Sequence, residues 1–235
     1  MKNRIAFLSL ALAFIISSCS VVQSLSSGEV DKALSQMLDL GTEHAVAALG
    51  VKNGYLLDED AKIPLPAEAR AVLENDAVKA VIGKYVDDIE TGINRSAEAA
   101  TDKAEALFKK AIREMSYQDA YAILLGSNGN EATEYLKRQA YDELKSEYHT
   151  PINEQLDKAI LAGKSTNELY TLFASTYNAI PFIGGKLEAD NLPDYVTEKA
   201  LDGLFVKIEQ REKEIRANPT KYGSDLLTQL LSTSK

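Results

Sequence analysis

The sequence is poor in the residues that most often build reactive sites, since it contains one cysteine, two histidines and no tryptophan. A single cysteine excludes an internal disulfide framework and a cysteine-based zinc site. His44 and His149 lie far apart in the chain, which disfavours a Ser-His pair or a metal-bound water. No Gly-rich phosphate-binding loop is present. We therefore expect no metal and no cofactor, and a hydrolase that uses a pair of carboxylates is the enzymatic alternative that stays open.

Basic residues are also outnumbered. The chain has 26 lysines and arginines against 35 acidic residues, a formal charge of −9. Lys2 and Arg4 would leave with the targeting segment described next, so that 24 basic residues would face 35 acidic ones, a charge of −11. Such a chain does not favour nucleic acid through its overall field, and nucleic acid is excluded as an expected partner.

The first eighteen residues have the pattern of an export signal. Lys2 and Arg4 precede an apolar run over residues 5–16, which is too short to span a bilayer comfortably. The run ends in Ser17-Ser18-Cys19, which resembles the lipobox of bacterial lipoproteins. The resemblance implies cleavage before Cys19, lipidation of its thiol and, because Ser20 is not aspartate, a place on the periplasmic face of the outer membrane. A plain cleavable signal beside an accidental cysteine is the alternative.

The sequence therefore divides into a signal peptide at 1–18, a lipidated cysteine with a Ser-rich tether at 19–28, and one helical domain at 29–235. Within that domain, residues 75–115 carry an apolar stripe at steps of three and four, which predicts one helix or two helices nearly in line. The stripe consists of Val78, Ile82, Tyr85, Ile89, Ile93, Ala97, Ala100, Ala104, Phe108, Ala111 and Met115.

The middle of this stripe is small-sided at Ser96, Ala97, Ala100 and Ala104. A second helix should approach closely there, and a cleft for an apolar ligand is the alternative. The opposite face of the same helix should be a solvated charge ladder. Its members are Asp88, Thr91, Arg95, Glu98 and Asp102.

Helical periods recur along the rest of the chain, and no strand pattern survives. We predict helices over 29–49, 117–125 and 130–148. A new helix should restart at Thr150-Pro151, and another should begin after a cap at Ser165. Asp194 should cap a helix over 195–217, and a short final helix should follow. The expected fold is an all-α irregular bundle in a single domain, with a long central helix and no sheet.

Two connections stand out between these helices. Residues 50–66 contain Asp58-Glu59-Asp60 and two prolines; the prolines force an extended path, and the acids lack the ligand spacing of a calcium loop. Residues 180–185 place Ile180, Phe182 and Ile183 in a loop, which we expect to fold onto the core, with a docking surface as the alternative.

Lys199 and Asp202 share one helix stripe with Val206. An intrahelical ion pair is the simple interpretation. The alternative is a polar patch for a ligand or partner, completed from neighbouring helices. The candidate residues of such a patch, including the apolar loop, are Arg95, Glu98, Lys137, Tyr177, Phe182, Lys199 and Asp202.

Five segments together resemble the bacterial envelope family of unknown function DUF4197. They are 62–66 (KIPLP), 94–98 (NRSAE), 132–135 (ATEY), 180–182 (IPF) and 194–205 (DYVTEKALDGLF). The resemblance covers nearly the whole mature chain, and the last segment is the most specific. It implies a helical, exported or lipid-anchored protein, and it implies no reaction.

These observations predict a lipid-anchored periplasmic protein that binds a partner protein or helps to organise the envelope. The membrane is then a partner only through the lipid on Cys19. A carrier of an apolar small molecule or lipid is the competing hypothesis, and the two differ in structure. A carrier needs a lined cavity of several hundred cubic ångströms, whereas an adaptor needs a filled core and an exposed apolar patch.

Overall fold

The computed structural model describes residues 26–116, 120–161, 163–180, 186–188 and 190–232. The signal segment, Cys19, and residues 181–185 with Phe182 lie outside the described residues. The all-α prediction is confirmed. The α-helices are α1 (Ser27–Leu49), α2 (Ala67–Ala71), α3 (Asp76–Ile82), α4 (Val86–Glu114), α5 (Ala120–Leu124), α6 (Glu131–Leu156), α7 (Thr166–Asn178), α8 (Leu192–Ala217) and α9 (Asp225–Ser232). Short 3₁₀ turns cover Val72–Glu74, Gly83–Tyr85 and Pro219–Tyr222.

The four longest of these helices form the bundle. Each has its most extensive contacts with two others, in the ring order α1, α4, α6, α8 and back to α1. One continuous apolar core fills the space between them. Of the helices described, none is both long enough and apolar enough to cross a membrane.

The stripe over residues 75–115 forms two helices, α3 and α4, that are joined by the single 3₁₀ turn Gly83–Tyr85. Ile89, Ile93, Ala97 and Ala100 are fully buried, as the spacing of the stripe predicts. A close approach between α1 and α8 was not predicted. A Cβ atom added at Gly41 would lie 2.9 Å from Cγ2 of Ile208, so only glycine leaves room for α8 at this point of α1.

The predicted break at Pro151 is wrong, because α6 continues through it to Leu156. Proline removes one backbone donor and usually interrupts a helix. Here Leu144, Tyr148, Ile152 and Leu156 lie four residues apart and are all buried. Packing of this single face on both sides of the proline holds the helix together.

Two smaller features also differ from the sequence prediction: the start of α8, and a short pair of strands where none was predicted. Helix α8 begins at Leu192 rather than 195, with Pro193 in its first turn, where a missing N–H costs little. A minimal antiparallel pair, β1 (Ala159–Leu161) and β2 (Lys164–Ser165), precedes α7. Ser165 then caps α7 in a capping box with Glu168, as predicted.

Candidate functional site

Residues 50–66, which connect α1 to α2, are held against α4 by a row of polar side chains; we call this segment the clamped loop. Asn94 binds the backbone of Ile63: Oδ1 accepts from its N–H at 2.9 Å, and Nδ2 donates to its carbonyl at 2.8 Å. Glu90 Oε1 accepts from the N–H of Leu65 at 3.1 Å. Glu98 Oε1 accepts from two further amides of the loop, at 3.3 Å each. Because positions 90, 94 and 98 follow at intervals of four, they form one face of α4.

The predicted solvated ladder is therefore wrong at Glu98. Thr91 and Asp102 are exposed, but Glu98 retains only 6% of its surface. Its Oε2 pairs with Arg95 Nη1 at 2.5 Å, and Arg95 Nη2 donates to Asn53 Oδ1 at 2.6 Å. Asn53 has a φ of 71°, a left-handed conformation that asparagine tolerates better than most residues. Backbone donors and a guanidinium compensate the buried carboxylate, as its burial requires.

Helix α8 holds the clamped loop from the other side. The Tyr55 side chain is fully buried, and its hydroxyl donates to the carbonyl of Ala200 at 2.8 Å. Burial raises the pKa of Tyr55 well above its usual value, so the hydroxyl stays a donor. A Cβ at Gly203 would lie 2.9 Å from Cε1 of Tyr55, and the Tyr195 hydroxyl donates to the carbonyl of Pro64 at 3.0 Å.

The acidic run in the loop is paired with a lysine. Asp58 Oδ1 accepts from the N–H groups of Asp60 and Ala61 at 3.0 and 2.9 Å, and Lys207 Nζ lies 2.7 Å from Asp58 Oδ2 and 3.9 Å from Asp60 Oδ2. Burial alone would raise the pKa of Asp58, but the hydrogen bonds from Lys207 and the backbone outweigh it, so the pKa is lowered. Among the described residues, no three His, Cys, Asp or Glu side chains form a metal-binding group.

The outer surface of the clamped loop carries two exposed aliphatic side chains among the exposed charges of Lys52, Glu59, Asp60 and Lys62. Four large hydrophobic residues of the described chain are exposed, and two of them lie here: Leu57 at 72% and Val51 at 54%. Tyr55, Ile63 and Leu65 of the same loop are buried. The backbone of the loop is therefore held against the bundle, while two aliphatic side chains are exposed to solvent.

The predicted polar patch is only partly brought together. Lys137 Nζ and Lys199 Nζ each lie 3.4 Å from a carboxylate oxygen of Asp202. Tyr141, which the sequence analysis missed although it lies one turn after Lys137, places its hydroxyl 3.5 Å from the same carboxylate. Burial and the Asp202 charge raise the pKa of Tyr141 to about 12.

The other candidates lie elsewhere. Arg95 and Glu98 belong to the clamp on α4, and Tyr177 is buried on α7. Phe182 lies outside the described residues, and its place in the core or on a docking surface stays a prediction. The seven candidates therefore do not form one site.

A groove of about 390 Å³ lies beside the Lys137 cluster, between α6 and the start of α8. Residues with charged or polar groups line it, namely Asp142, Lys145, Ser146, His149 and Asp194. His149 Nε2 lies 3.5 Å from Asp194 Oδ1, and Lys145 pairs with Glu198. Lys145 and Glu198 thereby neutralise each other across the two helices.

A second buried polar network was not predicted from the sequence. Glu212 of α8, which is 1% exposed, accepts from the N–H of Ala132 at 2.9 Å and from the N–H and hydroxyl of Thr133 at 2.7 Å. It thereby caps the first turn of α6. Arg216 pairs with Glu212 at 2.7 Å and donates to the carbonyls of Ile123 and Leu124 at the end of α5.

Residues 24–232 match the model of a family described as "Protein of unknown function (DUF4197)". No curated protein and no solved structure matches the chain significantly. The clamp gives a structural reason for three of the five segments that resemble this family, because 62–66, 94–98 and 194–205 meet at the clamped loop.

Proposed function

The chain belongs to the DUF4197 family of proteins of unknown function, and from that premise we propose that it is a lipid-anchored, non-catalytic binding protein of the bacterial envelope. The anchor is the lipid on Cys19, at the periplasmic face of the outer membrane. The clamped loop is the surface that docks a partner protein, with Leu57 as its central contact.

The exposure of Leu57 on a fixed backbone carries this proposal. A leucine at 72% exposure leaves apolar area in water that a partner can cover. The loop beneath it is held by Glu90, Asn94 and Glu98, so that little backbone entropy remains to be lost on docking. Preorganisation of this kind raises affinity, and central apolar anchors carry much of the energy of protein interfaces.

The competing carrier function would place a cleft at the small-sided part of α4. Ala97, Ala100 and Ala104 are fully buried there, and Ser96 is nearly so. Neighbouring helices thus cover the side chains that were expected to line the cleft. The groove between α6 and α8 has charged walls, which suits an apolar ligand poorly.

The length of α1 supports a proposal for the side on which the partner lies. Helix α1 contains 23 residues between the tether and this loop, a length of roughly 34 Å at 1.5 Å per residue. The tether enters at one end of α1, and Val51 and Leu57 follow the other end. We propose that the domain stands upright on its anchor, so that the loop faces the periplasm and a protein of that compartment is the partner.

The anchor is tested by replacing Cys19 with alanine and fractionating the cells. Loss of the thiol removes the acyl chains, each methylene of which contributes about 0.8 kcal/mol on burial in the membrane. We expect Cys19→Ala to leave the membrane fraction or to accumulate as an unprocessed precursor. Normal maturation and continued outer-membrane fractionation of the variant would contradict the lipid anchor without affecting the docking proposal.

The docking surface is tested by crosslinking in intact cells followed by purification of the tagged protein. Leu57→Ser and Val51→Ser should each lose a crosslinked partner that the wild type retains. Val81→Ser is the matched control, because Val81 is 51% exposed but lies on α3. If Val81→Ser loses the same partner, or if both loop variants keep it, the clamped loop is not the docking surface.

A further inference from the structure

His44 of α1 is joined to Arg211 of α8 by a contact that depends on its protonation state. Arg211 Nη2 lies 2.5 Å from Nδ1 of the imidazole. A guanidinium has donors only and stays charged, so Nδ1 has to act as the acceptor. The neutral ring with its proton on Nε2 makes this contact, whereas the imidazolium would turn a donor and a positive charge toward the arginine.

Arg211 carries the contact onward to the 3₁₀ turn Pro219–Tyr222. Its Nη1 donates to the Tyr222 hydroxyl at 3.0 Å and lies 3.0 Å from Glu214 Oε2. The Tyr222 hydroxyl in turn donates to Glu214 at 2.7 Å. The buried Nε atom of Arg211 has no hydrogen-bond partner, so the side chain is held by its Nη atoms and by the Tyr222 ring, whose centroid lies 5.2 Å from Cζ.

The segment that follows is seated on α1. Ser224 donates to Gln36 Oε1 at 2.8 Å and accepts from the N–H of Leu227 at 3.1 Å. Leu227, Leu230 and Leu231 of α9 are buried. Besides the apolar packing of α9, polar contacts attach residues 219–228 to α1 at Gln36 and, through Arg211, at His44.

The charges around His44 favour its neutral form. Helix α8 contributes Lys207, Arg211 and Glu214, and the 3₁₀ turn contributes Tyr222 with Lys221 beside its ring. Lys109 of α4 pairs with Glu43, the neighbour of His44 on α1. Burial and the Arg211 charge lower the pKa of His44, Glu214 opposes them, and Lys207 adds to the lowering.

We propose that the contact between His44 and Arg211 is an acid-sensitive latch: it is closed while the imidazole is neutral, and protonation opens it and loosens residues 219–228 from α1. The sign follows from linkage. The folded state holds the pKa of His44 below its unfolded value. The stabilisation that the neutral imidazole gives is therefore fully present above about pH 6.5, and it is lost as the pH falls through the folded pKa. This inference is independent of the docking surface.

Hydrogen exchange of the full-length protein tests the latch. The measured quantity is the protection factor of a peptide covering residues 219–228, which corrects for the intrinsic pH dependence of exchange. Between about pH 7.5 and pH 5 we expect it to fall about tenfold in the wild type, because local opening becomes easier. His44→Asn keeps an acceptor near the Nδ1 position but does not titrate, and it should remove the pH dependence.

His149→Asn is the control. His149 lies on α6, which is opposite α1 in the ring of helices, and it pairs with Asp194 of α8. It should keep the wild-type fall in protection. A flat wild-type profile, an unchanged fall in His44→Asn, or a loss of the fall in His149→Asn would each overturn the proposal. If His44→Asn does not fold, an NMR titration of the His44 ring in the wild type decides: a folded pKa at or above about 6.5 contradicts the latch.

Discussion

The side chain of Asn94 satisfies both backbone groups of Ile63, with its oxygen 2.9 Å from the N–H and its nitrogen 2.8 Å from the carbonyl. Ile63 is followed by Pro64, Leu65 and Pro66, so every second residue lacks an N–H. The two donors that remain in this stretch both reach α4, one at Asn94 and one at Glu90. Because the prolines have no N–H, α4 has to provide acceptors for fewer backbone donors of the loop.

Replacing Asn94 by aspartate should destabilise the protein. Aspartate keeps the acceptor for the Ile63 N–H but cannot donate to its carbonyl, and it adds a buried charge. A buried group left without its partner costs about 1–3 kcal/mol, and more when a charge is involved. Urea denaturation should show this loss, whereas Asn128→Asp, at an exposed turn position, should leave the midpoint nearly unchanged.

Replacing Arg95 by methionine should also destabilise the fold, because Glu98 loses its cation. Removing one member of a buried ion pair leaves an uncompensated charge; since Arg95 is 28% exposed, water can replace part of the contact. We expect a loss of about 1–3 kcal/mol. Lys109→Met on the same helix removes partly exposed pairs with Glu105 and Glu43, and it should have a much smaller effect. Equal effects would place Glu98 in solvent.

The sequence predicted the apolar framework better than it predicted the clamp. A period of 3.6 identifies Ile89, Ile93 and Ala97 as buried without knowledge of their partners. Glu98 looks like an exposed position because its burial depends on a loop more than forty residues earlier in the chain. Arg95 is visible in the sequence, but the other compensating donors of Glu98 are backbone amides, which leave no trace in the residue types. The predicted helix break at Pro151 was wrong for a similar reason, because the tertiary packing of α6 outweighed the tendency of proline to interrupt a helix.

Ala100→Leu should overpack the crossing at α4. Ala100 is fully buried, and added methylenes at such a site typically cost about 1–3 kcal/mol through displaced neighbours. The neighbouring Ala99 is exposed, so Ala99→Leu adds the same volume to solvent and should be nearly neutral. Thermal melting of the two variants separates the cases, and equal midpoints would favour an open cleft and hence the carrier function.

Gly203→Ala should disturb the clamped loop from the side of α8. The new Cβ would lie 2.9 Å from Cε1 of Tyr55 and 3.1 Å from Cβ of Ala61. Tyr55 cannot easily move because its ring is buried and its hydroxyl binds Ala200. We expect a loss of about 1–3 kcal/mol in unfolding free energy. A Cβ at Gly28 meets no atom within 4 Å, so Gly28→Ala should be neutral or slightly stabilising.

Glu212→Gln should weaken the start of α6 although it preserves shape. Both carboxylate oxygens face donors: Oε1 receives Ala132 and Arg216, and Oε2 receives the N–H and hydroxyl of Thr133. In either orientation the glutamine NH₂ would oppose a donor and leave it unpaired, and the negative charge at the helix N-terminus would be lost. We expect a loss of about 2–4 kcal/mol by urea denaturation. Glu209→Gln one turn earlier removes only an exposed pair with Lys213 and is the control; a comparable loss there would show that charge alone, rather than the buried cap, sets the effect.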